Sequence, residues 1–586
     1  MLEVDRGDVA GEEETFQIEL RAVEGMWMQQ VRDSARLRVQ DDQDGEGDEI
    51  EQIPPRAPQD ERRHEQDEQV AIGRQPEAEE LDGPRESRRQ RERRQDSGAA
   101  IEVGARWAPA LGALAAVGLA IAVRLPFLNA PLTSDEGGYA EVARLWERSN
   151  TLYRGAWVDR PQGLMLIYRG ISDLGLGSTE GLRAAAAAVA VMTLLATMLV
   201  ALRLGGRITA FSAGVLVATA GSSPFIESFT LSGELLSSVP ALLSLLAFCA
   251  YLRSGRAPWL VLAGLLTGCA LMIRQSAFDV GLAAVAFLVV RERRRAWRSI
   301  SLLLAGAAAP IAAGAMSAAQ VGAWWYAVVA YRGDGDSLFT GSPIHRYHLL
   351  TASLPAAGKA LAPLAALAAL AWWRAPLLLR LWLGAAVVGV LAGGNFHAHY
   401  YLQLVPPLAV LGGVAVSGLV EARRQIAWGA CAAAATAALA FAAPLWFASG
   451  VAQAEAIWPR DPHLRSDAAV SQYVKTHTRP HEHIFVVWAA ADVYYLADRP
   501  PAFKYIWYRN VQAIHGALPA VNRMLAQRKP ALVVAAQSPL AIDRSSLTTM
   551  QILRREYRMV AAVAGVPIYR RLAHPGPARM PGQMIS

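Results

Sequence analysis

From about residue 107 to residue 447 the chain alternates long apolar runs, rich in Ala, Leu and Val, with short polar connections. The runs cover approximately 107–126, 184–202, 208–225, 235–252, 258–274, 277–290, 299–319, 351–372, 376–394, 401–420 and 426–447. Most approach the ~20 residues a helix needs to cross a hydrocarbon core, which predicts about eleven transmembrane helices; the sixth run is short. After residue 448 the pattern changes. His483–Trp488, Ala531–Ala536 and Val566–Arg570 read as short strands, with amphipathic helices Ser466–His477 and Gln512–Gln527 between them. No internal repeat stands out.

The first hundred residues show no sustained apolar period. They carry mixed-charge runs such as Asp60-Glu61-Arg62-Arg63 and the arginine-rich stretch Arg88–Arg94. Such a segment buries too little apolar surface to offset its ordering entropy, so a disordered cytoplasmic tail is expected over 1–104. Its acidic start does not read as a cleavable signal peptide.

Composition agrees with a membrane chain: 53% hydrophobic and 18% charged residues in 586. The net charge of +6 does not point to nucleic acid, because the arginines mostly lie in short clusters between apolar runs. With the N-terminus inside, the loops expected to be cytoplasmic hold Arg203/Arg207, Arg253/Arg256, Arg291–Arg298, Arg374 and Arg423/Arg424. That is the positive-inside bias. The opposite side then receives the long connections 127–183 and 320–350 and everything after 448. Cys249, Cys269 and Cys431 all fall within apolar runs without a C-x-x-C pair, so neither a zinc site nor a disulfide framework is indicated.

The first external loop carries the most chemistry. It contains Thr133-Ser134-Asp135-Glu136-Gly137-Gly138-Tyr139 and then Asp159-Arg160-Pro161-Gln162-Gly163. Adjacent carboxylates can hold a divalent metal or supply a general base. They also suit the first turn of an ordinary helix.

The arrangement resembles the first external loop of the GT-C glycosyltransferases, in particular the bacterial relatives of the protein O-mannosyltransferases and of the lipid A aminoarabinose transferase (glycosyltransferase family 39-like). In those proteins an Asp-Glu pair follows the first transmembrane helix, and an acidic residue with a Lys-Pro-Pro type motif follows about two dozen residues later. Here Asp135-Glu136 matches the first element and Asp159-Arg160-Pro161 looks like the second. Arginine replaces the usual lysine, offering a planar fork in place of a point charge, and Gln162 replaces the second proline. The resemblance extends past residue 448 through Ser471–Val474, Trp488, Tyr494–Arg499 and Val566–Arg570.

Further polar residues stand at the same ends of apolar runs. Glu227 and Glu234 lie where carboxylates are costly, which suggests a role; interfacial solvation would also explain them. Arg274-Gln275 interrupts the fifth and sixth runs on the side where topology requires no positive charge, and an arginine there either snorkels or binds an anion. In the resembled family a basic residue in this region faces the lipid phosphate. His399-Tyr400 precedes a Pro-containing apolar run, as the family does at its donor-facing end; the spacing of His397 and His399 does not suit a helical metal pair. Asp334 and Asp336 have an Asp-x-Asp look but lack the rest of a calcium loop, and read as an acceptor-side loop.

The architecture expected is a polytopic α-helical membrane protein of GT-C type in three parts: the tail 1–104, a catalytic region 105–448 with its external loop 127–183, and an extracytoplasmic α/β domain 449–586. The resemblance implies an inverting transfer from a polyprenyl-phosphate sugar to an acceptor hydroxyl on a lipid, glycan or protein at the outer face of the cytoplasmic membrane. Asp135 is the expected base. Arg160 and Arg274 are expected on the phosphate, with Tyr139, Asp159, Gln275, Glu234, His399 and Tyr400 lining the substrate. The one cofactor considered is a divalent cation held by Glu136, with or without Glu234. A transporter or lipid-linked sugar flippase is the alternative, and it would carry polar or helix-breaking residues near mid-membrane.

Overall fold

The apolar runs fold as helices because a chain in lipid must satisfy its backbone hydrogen bonds internally. The computed structural model describes residues 110–149, 151–334, 342–488, 490–537 and 547–573, all within one compact unit, Gln95–Pro577. The charged tail and Asp336 lie outside the described residues. The helices are α1 Ala110–Phe127, α2 Ser134–Ser149, α3 Gln162–Asp173, α4 Thr179–Thr219, α5 Gly233–Ser254, α6 Ala257–Ile273, α7 Asp279–Glu292, α8 Ala296–Ser317, α9 Pro343–Ala371, α10 Leu377–Gly393 and α11 Val405–Ala440.

Among the described residues six helical spans are long and apolar enough to cross a membrane, and α6 and α10 are shorter apolar helices. Helix α4 breaks at Gly206, whose φ of 86° only glycine adopts without strain. Helix α11 breaks at Arg423, at φ −151° and ψ 94°. Both breaks fall in arginine-bearing connections that separate predicted runs. The helices turn large apolar side chains outward, as at Leu114, Leu199, Leu304 and Leu370, which suits lipid as the surrounding solvent.

Small residues bring the helices together. A Cβ on Gly264 or Gly268 of α6 would overlap backbone of α8, and one on Gly306 of α8 would overlap backbone of α6. This is the close approach that small-xxx-small patterns permit. Helix α9 begins well before the predicted run because Ser342 caps it, its hydroxyl accepting from the His345 N–H at 3.1 Å, with Pro343 at the first turn.

The chain after α11 builds a four-stranded sheet in the order β1-β2-β4-β3, with β1 Ile484–Val486, β2 Leu532–Val534, β3 Tyr557–Val563 and β4 Val566–Arg571. Strands β1 and β2 pair parallel and are wholly buried; β2/β4 and β3/β4 pair antiparallel. Strand β3 was not predicted. Its polar-rich start and mixed exposure obscure the alternation that marks a strand. Helices α12 Asp467–His477 and α13 Asp492–Ala497 flank β1. Helix α13 docks on α2: Arg144 of α2 ion-pairs with Asp498 and donates to the Tyr494 carbonyl at 3.2 Å. Tyr495 reaches the Gly177 carbonyl at 2.6 Å.

Candidate active site

Thr133 to Glu136 form a capping box at the start of α2. The Thr133 hydroxyl accepts from the Glu136 N–H at 3.2 Å, and the Glu136 carboxylate accepts from the Thr133 N–H at 3.2 Å. The other oxygen of Glu136 ion-pairs with Arg183 of α4 and accepts from the Leu231 N–H at 2.7 Å. Glu136 is 2% exposed. With donors on both oxygens it ties three elements together, a different task from the catalytic and metal-binding one expected of it. Its neighbour is free of these ties. Asp135 is half-buried, and its partner among the described residues is the Tyr139 hydroxyl at 3.3 Å. Burial pushes the Tyr139 phenol well above its ordinary value against the opposing pull of Arg160, so it remains a donor to Asp135.

The second arm enters through Pro161, whose extended backbone starts α3. Gln162 is buried here as an anchor. Its amide NH2 donates to the Gly314 carbonyl, while its oxygen accepts from Tyr153 at 3.0 Å and Trp324 at 2.7 Å. A second proline could make none of these bonds. A Cβ on Gly163 would overlap the Met272 carbonyl, so α3 presses on the end of α6 that leads into Arg274. Arg160 pairs with Asp159 at 2.6 Å, and Asp159 also meets Arg332 at 3.2 Å. Burial alone would raise the Asp159 carboxyl, but Arg160 and Arg332 reverse this and hold it below its ordinary value. Gln275 donates to the Asp159 carbonyl at 2.7 Å.

The third wall is a chain of buried charges. Arg274 pairs with Glu234 at 2.9 Å, and its guanidinium lies over the Tyr400 ring, 4.6 Å from the centroid. His399 bridges Glu227 at 2.7 Å and Glu234 at 3.6 Å.

These three walls border one pocket, lined by Asp135, Glu136, Tyr139, Arg160, Glu227, Glu234, Arg274 and His399 among others. Asp159, Gln275 and Tyr400 stand behind it, holding Arg160 and Arg274. The cavity thus presents one carboxylate without a cationic partner among the described residues, Asp135, beside two guanidinium groups. Every other acid lining it is paired: Glu136 with Arg183, Glu227 with His399, Glu234 with Arg274 and His399. Asp135 alone offers a divalent cation a carboxylate without a cationic partner here; the other acids lining the pocket already share their charge with arginine or histidine.

The C-terminal part packs on the helix that carries Asp135 and Tyr139, which no local signal predicted. A Cβ on Gly138 would overlap the Trp507 ring, and Trp507 sits 5.6 Å from the Tyr139 ring. The pKa of half-buried Arg509 is raised against the lowering effect of burial, chiefly by its neighbour Tyr508, with Tyr400 and Asp135 close enough to add to the rise. Arg183, Arg332 and Arg509 were all unpredicted; each owes its importance to a partner far away in sequence.

Residues 159–316 match the family described as dolichyl-phosphate-mannose-protein mannosyltransferase. The structure is similar to that of ArnT from Cupriavidus metallidurans bound to undecaprenyl phosphate, at 15% identity and a TM-score of 0.54, covering 79% of this chain and 99% of that one. The apo form of the same protein matches at 14% identity and a TM-score of 0.53, over 79% and 98%. An Archaeoglobus fulgidus oligosaccharyltransferase matches more distantly, at 14% identity and a TM-score of 0.48, over 74% and 69%. No curated protein sequence matches significantly. With six apolar helices among the described residues long enough to cross a membrane and this likeness, the chain is an integral membrane protein with a fold like that of ArnT, and its residues 159–316 resemble the protein mannosyltransferases.

Proposed function

We propose that the chain transfers a sugar from a polyprenyl-monophosphate donor to an acceptor hydroxyl at the outer face of the cytoplasmic membrane, with inversion. The observation that carries this is the Asp135 carboxylate, without a cationic partner among the described residues, facing the same pocket as Arg160 and Arg274. In the transfer, Asp135 accepts the acceptor hydroxyl's proton as that oxygen bonds to the anomeric carbon. The bond from anomeric carbon to phosphate oxygen breaks, and its electrons leave with the lipid phosphate, whose charge Arg160 and Arg274 neutralise. Tyr139 orients the base. The polar cavity sits at the ends of apolar helices, which suits a donor with a lipid tail and a water-soluble head. The arrangement of about eleven spans with the N-terminus inside and the α/β part outside belongs to this proposal.

Purified protein supplied with labelled polyprenyl-phosphate sugars and candidate acceptors tests it. Asp135→Asn should lower turnover by about 10²–10⁴-fold, the usual worth of a general base, with donor binding retained. Undiminished turnover in that variant removes Asp135 as base. Movement of labelled lipid across vesicles without sugar consumption would favour the flippase.

A further inference from the structure

Against the first turn of the Asp135 helix, His463, Asp467 and Asp492 turn toward one another. Their nearest ligand atoms lie within 4.8 Å of each other, and all three residues are buried. The His463 imidazole Nδ1 is 2.6 Å from an Asp467 oxygen. Asp492 is 0% exposed, and the group that meets its carboxylate oxygens is not a donor but a second carboxylate, that of Asp467. A buried carboxylate left so costs several kcal/mol unless a counter-charge meets it. No lysine or arginine pairs with Asp467 or Asp492 among the described residues. The single imidazole, already engaged with Asp467, cannot balance two carboxylates.

We propose that His463, Asp467 and Asp492 bind one divalent metal ion of the zinc or manganese class, which rivets the C-terminal domain to the helix bearing Asp135. One imidazole nitrogen and two carboxylate oxygens suit those ions, and two negative charges match the ion's two positive ones. The consequence for the cavity runs through Asp492. The adjacent Ala491 N–H donates to the Ser134 hydroxyl at 2.9 Å, and a Cβ on Gly137 would overlap the Asp492 side chain. Fixing Asp492 therefore fixes the first turn of α2, where Asp135 stands. The ion is a positioning element: it meets neither substrate nor the reacting atoms.

Elemental analysis of the full-length chain, purified in detergent without chelator, should find about one equivalent of zinc or manganese. Stripping with a chelator and titrating back Zn²⁺ or Mn²⁺ should raise the unfolding temperature by about 2–5 °C, saturating near one equivalent. Asp492→Asn and His463→Gln should each abolish both the equivalent and the thermal response. Glu234→Gln should keep both, since its carboxylate lies in the other cavity. The proposal is overturned if wild type holds no metal and shows no thermal response while Asp492→Asn is equally or more stable; Asp467 and Asp492 would then share a proton. It is equally overturned if the metal survives in Asp492→Asn and is lost in Glu234→Gln. Because these readouts do not involve sugar transfer, they stand or fall apart from the proposed activity.

Discussion

Arg274 has two tasks that one pair of substitutions separates. It is the cation of a buried pair with Glu234, and it is proposed as a phosphate ligand. At 2.9 Å the gross attraction is about 6 kcal/mol at an effective dielectric near 20. Desolvation cancels much of that, and deleting one partner of a buried pair costs about 3–5 kcal/mol. His399, 3.6 Å from Glu234, still holds the abandoned carboxylate, so Arg274→Gln should lie near the lower end, about 3 kcal/mol. The same variant loses a charge-assisted hydrogen bond to the donor phosphate, worth about 1.5–3 kcal/mol, or roughly 10–150-fold in donor KM. In Arg274→Gln/Glu234→Gln no carboxylate is left uncompensated by the missing guanidinium, so stability should return. The donor KM should not. Thermal unfolding and donor titration on wild type, both single variants and the double variant give the full cycle. If the double variant regains the wild-type KM, Arg274 is only a counter-ion to Glu234 and the phosphate role falls.

Three further outcomes follow from the geometry. Gly137→Ala places a methyl group 2.5 Å from the Asp492 Cα, and should destabilise by about 1–3 kcal/mol in thermal unfolding; an unchanged melting temperature would mean that α2 and α13 are not in contact. Gln162→Pro, which restores the residue usual in the resembled family, strands the Trp324 N–H without its acceptor and leaves the Tyr153 hydroxyl with the Arg160 carbonyl alone, and should cost about 1–3 kcal/mol by the same measurement. Burial pushes Glu141 from 4.5 up to about 7, with Arg144 opposing. The folded state then holds this proton more tightly than the unfolded chain, so the contribution is full below pH 4.5 and is lost as pH rises through about 7, on the order of 3 kcal/mol in all. Glu141→Gln should flatten that fall, and melts between pH 5 and 8 will show whether it does.

The sequence by itself determined the helices and marked out the polar residues at one set of their ends. Long apolar runs admit one solution in lipid, and charges placed at their ends are too costly to be accidental. It also singled out Asp135, Arg160, Glu234, Arg274 and His399, because their residue types and neighbours suit an anionic lipid donor. Only the tertiary structure decided which of these acids is tied up by a cation. Asp135 and Glu136 are adjacent and look alike on paper. Arg183, forty-seven residues further on, pairs with Glu136, while no cation among the described residues pairs with Asp135. The histidine and two aspartates against the first turn of α2 were likewise invisible, since their spacing over His463, Asp467 and Asp492 matches no local motif. Pairing of charges depends on distance in space, and a sequence records distance along the chain alone.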